Sequence, residues 1–313
     1  MKGNGGWLTQ AGKSDPPELG GKVVLFDFWD YTCINCIRTF PHLNYLYKKY
    51  RNQGLVIVGI HSPEFSFAAV PSRVEHAIKQ YSLSFPVVMD NDQILWNRFH
   101  NHYWPADYLY DKKGHLLYHS FGEGGYDRLE QKIREALALD AVYRTSGASP
   151  DFPAGLTPEL YAGYERGRLG NPSGYHPGTW ASYLRRNLRE GALNLSGRWK
   201  AFDDHLTSGS PVKHRSPSLT VIYRGTGVNA VIKPPSYASK EVPAQVQISE
   251  DGKPVPTKYA GTDVKKIPEK RSIVHVRRAR MYSLVSGEPY GIHRIDLFFL
   301  TKGTEVYTLT FNP

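Results

Sequence analysis

A Cys-x-x-Cys motif between a buried strand and a helix constrains this chain more than any other feature. The chain holds two cysteines, Cys33 and Cys36. A continuous apolar run from Val23 to Trp29 precedes them and predicts a buried strand. Apolar residues at helical spacing follow them: Ile37, Phe40, Leu43 and Leu46. The pattern therefore places both sulfurs where a strand ends and a helix begins.

That position predicts redox chemistry for the pair. The free N–H groups and the positive dipole end of a helix favour an anion, so the pKa of the first cysteine should fall below its usual value of about 8.5. With two residues between them, the second sulfur lies one turn further on and can attack a mixed disulfide held on the first. We expect Cys33 to be the exposed nucleophile and Cys36 the more buried resolving thiol.

Asp27 and Pro41 add detail to this site. Asp27 sits inside the apolar strand, where burial should raise the pKa of its carboxyl, and it could accept the proton of Cys36 during exchange. Pro41 falls inside the helical pattern and should kink the helix. A zinc half-site is the alternative for such a motif, but no second Cys-x-x-Cys follows and His42 alone is close, so we expect no metal.

The rest of the first half predicts a mixed α/β sheet. Leu55–His61 is a second apolar run after the helix, so the two strands should be parallel in a βαβ unit, and the runs around Tyr108 and His119 should form an antiparallel hairpin. The loop after the second strand brings Glu64 to the same rim as Cys33. A cis-proline at Pro105 would leave the Trp104 backbone free to pair with an extended substrate.

We therefore expect a substrate groove beside the cysteines. Its expected members are Trp104, Pro105, Trp29, Tyr31 and Glu64.

The second half changes character and predicts an all-β domain. Residues 146–189 alternate prolines with glycines and suggest a linker with short helices at 158–167 and 180–190. Eight strand-like runs follow from Leu195 onward, which suggests an antiparallel sandwich of the jelly-roll type. The predicted domains are residues 1–145, the linker 146–189 and the sandwich 190–313.

Charge and hydropathy limit which binding partners and which cellular compartment the sequence is compatible with. Of the net charge of +10, residues 146–313 carry most, with 23 Lys/Arg against 14 Asp/Glu. This basic half could attract a glycan or an anionic surface, or it could simply be a solvated face; no motif supports nucleic acid. No apolar run is long enough to span a membrane, and MKGNGGWLTQ has no hydrophobic signal core. The chain is thus either cytoplasmic or follows a removed signal or anchor.

Several strings together resemble a known family. YTCINCIRTFP, HSPEFSF, FPVVMDND, YWPADYLYDKKG and HSFGEGGYD resemble the extracytoplasmic thioredoxin-like region of DipZ-type proteins. LTPELYAGYERG, LNLSGRW and MYSLVSG resemble the module that follows it there, a β-sandwich likened to carbohydrate-binding modules. The resemblance runs from about Trp7 to Pro313.

The resemblance implies a thiol–disulfide oxidoreductase outside the cytoplasm. It implies redox roles for Cys33 and Cys36, groove roles for Trp104 and Pro105, and no cofactor beyond the redox-active disulfide. Disulfide-bearing proteins would be substrates, and a CcdA-type membrane protein would donate electrons, its membrane segment being absent from this sequence. The dipeptide Ile34-Asn35 replaces the Gly-Pro of ordinary thioredoxin. The redox potential of the pair is therefore not fixed by the resemblance, since known Cys-x-x-Cys pairs span about −270 to −120 mV.

Two other functions are alternatives to the oxidoreductase on the sequence alone. A peroxidase of the peroxiredoxin type needs the pattern P-x₃-T-x₂-C, but here Thr32 directly precedes Cys33 and the proline is missing. A binding protein is the alternative from a different class, in which the sandwich holds sugar or cell-wall material on exposed aromatic residues. The candidates for that role are Trp180, Trp199, Tyr223, Tyr237 and Tyr290.

Overall fold

The computed structural model describes residues 5–139, 153–185, 187–212, 215–267 and 271–313. The chain divides into two compact units, Met1–Pro150 and Asp151–Pro313. The expected domain boundary at residue 145 lies outside the described residues. Within those residues, no helix is both long and apolar enough to cross a bilayer.

The described residues of the first unit form seven strands and four α-helices, besides two short 3₁₀ helices at Arg51–Gln53 and Ser66–Ala69. In chain order they are β1 Trp7–Thr9, β2 Gly12–Ser14, β3 Val23–Trp29, α1 Ile34–Tyr50, β4 Leu55–His61, α2 Pro71–Gln80, β5 Val87–Met89, α3 Ile94–Arg98, β6 Ala106–Tyr110, β7 Leu116–Phe121 and α4 Tyr126–Ala136. The strands lie in the order β2-β1-β5-β4-β3-β6-β7. Strands β3 and β4 are parallel, whereas β6 is antiparallel to both β3 and β7. The predicted βαβ unit and hairpin are confirmed.

Burial explains why the central strands and α1 form where the sequence predicted them. Every residue of β3 is buried, as expected for a strand covered on both faces of the sheet. Helix α1 continues through Pro41 and buries three residues of the predicted stripe, Phe40, Leu43 and Leu46, whereas Ile37 is only partly buried. The centre of the sheet therefore holds the start of α1, and with it the two cysteines, in a fixed place.

The second unit is all-β apart from a short 3₁₀ helix at Thr257–Tyr259, and its described residues form twelve strands. They are β8 Leu160–Tyr161, β9 Trp180–Tyr183, β10 Asn194–Ala201, β11 Leu206–Ser208, β12 Ser218–Gly225, β13 Gly227–Lys233, β14 Ala244–Glu250, β15 Val264–Ile267, β16 Arg271–Val276, β17 Arg280–Val285, β18 Gly291–Phe299 and β19 Glu305–Asn312. They form one continuous, nearly barrel-shaped sheet around a single apolar cluster that includes Trp199, Leu219 and Phe299. The all-β prediction is confirmed.

Strand β10 is the place where this sheet bends. Residues 194–196 pair with β12, and the following residues pair with β9 and β11. Gly197 sits at the change of partner with φ +83°, and a Cβ there would approach the Pro217 Cα to 2.9 Å. A side chain would therefore be strained both by the backbone conformation and by contact.

The predicted linker and its two short helices differ from the structure. Where helices were expected, β8 pairs with β19 and β9 pairs with β10. Described residues of the segment 153–185 thus contribute strands to the second unit. The prolines and glycines punctuate short strands here, and strands of two and four residues are too short to show a period of their own.

Candidate functional site

The two cysteines form a disulfide at the first turn of α1. Their Cα atoms are 5.3 Å apart. Cys33 is the N-cap residue of α1, and the Cys36 N–H donates to the Cys33 Sγ at 3.1 Å. Cys36 is fully buried, whereas Cys33 is partly exposed. The geometry matches the expected order, with an accessible sulfur in front and a shielded one behind it.

This geometry favours a thiolate on Cys33 once the disulfide is opened. One backbone N–H already points at its sulfur, and the positive end of the α1 dipole lies at the same place. No acidic residue occupies the first turn of α1 to weaken that field. A thiolate held in this way is both a competent nucleophile and a good leaving group.

Asp27 is buried on β3, as predicted, and faces a second acid. Neither carboxyl oxygen of Asp27 has a hydrogen-bond partner among the described residues. Burial, followed by the nearby charge of Asp107, raises the pKa of Asp27 well above its usual range. Burial also raises the pKa of Asp107 to about 7. The pair can hold a proton at neutral pH, which is the property a proton acceptor for Cys36 requires.

Asp107 was missed by the sequence analysis although it lies opposite Asp27 in the β3–β6 register. The available signal was an acid within a strand that follows Pro105. Its importance depends on the register between two strands that are far apart in sequence.

Asp30 ties together the two loops at this rim of the sheet. Its Oδ1 accepts from the Thr32 N–H and hydroxyl, both at 2.7 Å, and its Oδ2 accepts from the Glu64 N–H at 2.8 Å. Burial raises the pKa of this carboxyl, and these hydrogen bonds partly offset that effect. Asp30 therefore positions the loop that carries Cys33 relative to the loop after β4.

His61 forms the floor of the same rim. Its ring stacks on Tyr31 with centroids 5.7 Å apart and meets Trp29 edge-on at 4.8 Å. Burial lowers the pKa of His61 to about 3, so the ring is neutral at physiological pH. The imidazole acts here as a packing group between two aromatic rings.

The proposed groove residues divide into two sets. The Trp104–Pro105 peptide bond is cis, as predicted, and directly precedes β6. The Trp104 indole donates to the Ser62 carbonyl oxygen at 3.0 Å and packs on Trp96. This hydrogen bond fixes the ring beside the loop that follows β4.

Trp29 and Tyr31 differ from what the sequence suggested. Trp29 and Tyr31 are buried, so they support the rim from below and present no surface to a substrate in this structure. Trp29 points inward because it ends an all-buried strand, and Gly59 leaves room for its ring. Glu64 contributes its backbone N–H to Asp30, and a role for its carboxylate stays a prediction.

The five aromatic candidates of the second unit differ in their exposure. Trp199 and Tyr223 are fully buried. Trp180, Tyr237 and Tyr290 are exposed, and the Arg198 guanidinium lies over the Trp180 ring. Three of the five aromatic candidates are therefore accessible.

Comparison with known proteins agrees with both halves of the chain. A family model described as "Thioredoxin-like" matches residues 20–116, and one described as "Thioredoxin like C-terminal domain" matches residues 157–312. Protein DipZ of Mycobacterium bovis is 34% identical over 250 residues, which cover 74% of this chain. The chain belongs to the DipZ-type thioredoxin-like proteins. It spans 36% of the length of that relative.

Shorter relatives agree on the chemistry of this DipZ-type chain. The thiol-disulfide oxidoreductase YkuV of Bacillus subtilis is 31% identical over 120 residues, which are 38% of this chain and 80% of that protein. The thiol-disulfide oxidoreductase ResA of Bacillus thuringiensis is 30% identical over 123 residues, or 39% of this chain and 68% of that protein. The chain is a thiol–disulfide oxidoreductase with a Cys33–Cys36 pair.

Proposed function

We propose that this chain is an extracytoplasmic protein-disulfide reductase that receives its electrons from a CcdA-type membrane partner. The observation that carries the proposal is the N-cap position of Cys33 in front of a buried Cys36, with the Cys36 N–H directed at the Cys33 sulfur. The location and the electron donor rest on the resemblance to DipZ-type proteins. The second unit would hold the enzyme near its targets through its basic surface and exposed aromatic residues.

The proposed reaction is a pair of thiol–disulfide exchanges. The Cys33 thiolate attacks one sulfur of a substrate disulfide, forming a mixed disulfide as the other substrate sulfur leaves as a thiolate. Cys36 then loses its proton to Asp27 and attacks the Cys33 Sγ. The second substrate sulfur leaves, the Cys33–Cys36 disulfide forms, and two electrons have passed to the substrate.

The helix terminus acts in both steps. It stabilises the Cys33 thiolate before attack, and it stabilises the same sulfur whenever the Cys33–Cys36 bond is reopened by the electron donor. Trp104, fixed by its bond to the Ser62 carbonyl, would flank the extended substrate chain. The membrane partner would restore the dithiol after each turnover.

Insulin reduction with dithiothreitol as electron source tests the assignment of the two sulfurs. We expect Cys33→Ser to abolish turnover, because the nucleophile is gone. We expect Cys36→Ser to accumulate a covalent adduct with substrate through Cys33, visible by non-reducing mass spectrometry, because nothing resolves it. The double variant serves as the blank.

Two outcomes would contradict the proposal. Wild-type turnover by Cys33→Ser would remove the mechanism, and trapping of substrate by Cys33→Ser instead of Cys36→Ser would reverse the roles. The midpoint potential decides the direction of electron flow: a value near about −270 mV fits a reductant, and one near about −120 mV fits an oxidant.

A further inference from the structure

A group of two buried acids and a histidine lies in the second unit and has no role in the redox steps proposed above. Glu250 ends β14, His293 lies in β18, and Glu288 lies in the connection that enters β18. One ligand atom from each of these three residues lies within 4.8 Å of the others. Only 5% of the surface of Glu250 and 8% of that of Glu288 is exposed. Buried carboxylates of this kind require a compensating partner.

Hydrogen bonds within the described residues leave these carboxylates unsatisfied. The Tyr223 hydroxyl donates to Glu250 Oε1 at 2.8 Å. The other oxygen, Glu250 Oε2, and Glu288 Oε2 have no hydrogen-bond partner in the part of the chain that the structure describes. Two ionised carboxylates cannot donate to each other, so a shared proton, a protonated His293 or a bound cation must compensate them.

The histidine presents a lone pair to the same place. His293 Nε2 lies 3.1 Å from the Pro289 carbonyl oxygen, an acceptor that fixes the proton on this nitrogen. In the neutral ring with its proton on Nε2, Nδ1 carries the lone pair, and it lies 3.2 Å from Glu288 Oε2. An imidazole that donates one N–H to a backbone carbonyl and aims the other nitrogen at carboxylates is the arrangement of a metal ligand.

From this geometry we infer that Glu250, Glu288 and His293 form a binding site for a divalent transition-metal ion, with Zn²⁺ the best fit. Two carboxylate oxygens and one imidazole nitrogen suit Zn²⁺, with a fourth position for water, whereas Ca²⁺ takes six to eight oxygen ligands. The Tyr223 hydroxyl orients the Glu250 carboxylate from behind. Asp251, whose carboxylate lies 4.0 Å from His293 Nδ1, adds negative charge to the rim.

Calorimetric titration of the full, oxidised, tag-free chain with Zn²⁺ after chelator treatment tests the site. The disulfide keeps both thiols out of the titration. We expect one Zn²⁺ per chain and an unfolding temperature that rises with Zn²⁺. Glu288→Gln and His293→Gln should each weaken binding by more than about tenfold, and Tyr223→Phe by about 10–100-fold.

His205→Gln is the matched control, because His205 also meets two carboxylates in this unit. It contacts Asp204 and Glu305 through different ring nitrogens and so cannot gather them around one ion. We expect wild-type Zn²⁺ binding in this variant. Circular dichroism of each variant checks that its fold is retained.

Three results would overturn the inference. The first is no stoichiometric Zn²⁺ uptake by the wild-type chain, which does not depend on any variant. The second is uptake that Glu288→Gln and His293→Gln leave unchanged. The third is tighter binding of Ca²⁺ than of Zn²⁺, which would exclude a donor set that contains nitrogen. A chain that binds no metal but gains stability from Glu250→Gln would instead identify a proton-sharing pair.

Discussion

At the scale of single residues, the buried Asp27 and the partly buried Asp107 couple the redox site to pH. Both pKa values are raised, so the folded unit binds protons that the unfolded chain releases between about pH 4 and the folded pKa. The free energy of unfolding should therefore fall as the pH rises through that interval. The stabilisation is present at low pH and is lost as Asp107 ionises near pH 7.

We predict that Asp27→Asn removes the part of this dependence that Asp27 contributes, leaves the part due to Asp107, and also slows turnover. Urea unfolding at pH 5 and pH 8 should show a smaller difference for the variant than for the wild type. Insulin reduction at pH 7 should slow by roughly 10–100-fold, since a positioned proton acceptor contributes up to about 10²–10⁴. The exposed turn residue Asp111 is the control, and Asp111→Asn should change neither result.

An equal pH response in Asp27→Asn and wild type would show that this carboxyl titrates in the folded chain as it does in the unfolded one. An unchanged turnover with a changed pH response would separate the two roles. Asp27 would then be a structural acid, and another group would have to take the Cys36 proton.

At the scale of elements, the rim of the sheet depends on the loops that leave β3 and β4. Asp30 joins them through three hydrogen bonds, and Trp104 adds one to Ser62 from the loop before β6. A loop that carries a nucleophile must be held by groups outside it, because its own residues have few contacts to fix them.

We predict that Asp30→Ala destabilises the first unit by about 2–4 kcal/mol, because it leaves buried donors of Thr32 without an acceptor. Urea unfolding measures the loss. Asp111→Ala is matched to it, since Asp111 also accepts from two backbone N–H groups, those of Lys113 and His115, but in an exposed turn. Water replaces the acceptor there, so the effect should be much smaller, and similar losses in both variants would contradict the argument.

The sequence predicted the elements whose own residues carry the signal. Strands β3 and β4 have the bounds that their apolar runs indicated. The missed strands are short and take their stability from a neighbour, as β9 does when it pairs along β10 in place of the expected helix. Local periodicity cannot reveal a partner that lies elsewhere in the chain.

The same division applies to the site. Spacing alone located Cys33 and Cys36, because a motif within one helical turn is a local property. Asp107 and His61 acquire their roles through strand register and ring packing, which the sequence does not display. For Trp29 the sequence position was misleading. Its place just before the motif suggested that it lines the groove, but its strand is buried on both faces.

At the scale of the whole molecule, each unit has a core of its own. One apolar cluster is drawn from residues between Trp7 and Tyr110, and another from residues between Ala162 and Phe311. The redox pair belongs to the first unit, whereas the carboxylate–histidine group belongs to the second. A perturbation of one site should therefore change the stability of the unit that contains that site.

We predict two transitions in the thermal unfolding of the full chain, of which dithiothreitol shifts one. Opening the Cys33–Cys36 bridge frees a short loop in the unfolded state and should cost the first unit about 2 kcal/mol. Differential scanning calorimetry with and without reductant measures the shift, and the Cys33→Ser/Cys36→Ser double variant should not respond. A single transition that moves as a whole would mean that the two cores unfold together, and the redox state of one unit would then govern the stability of the other.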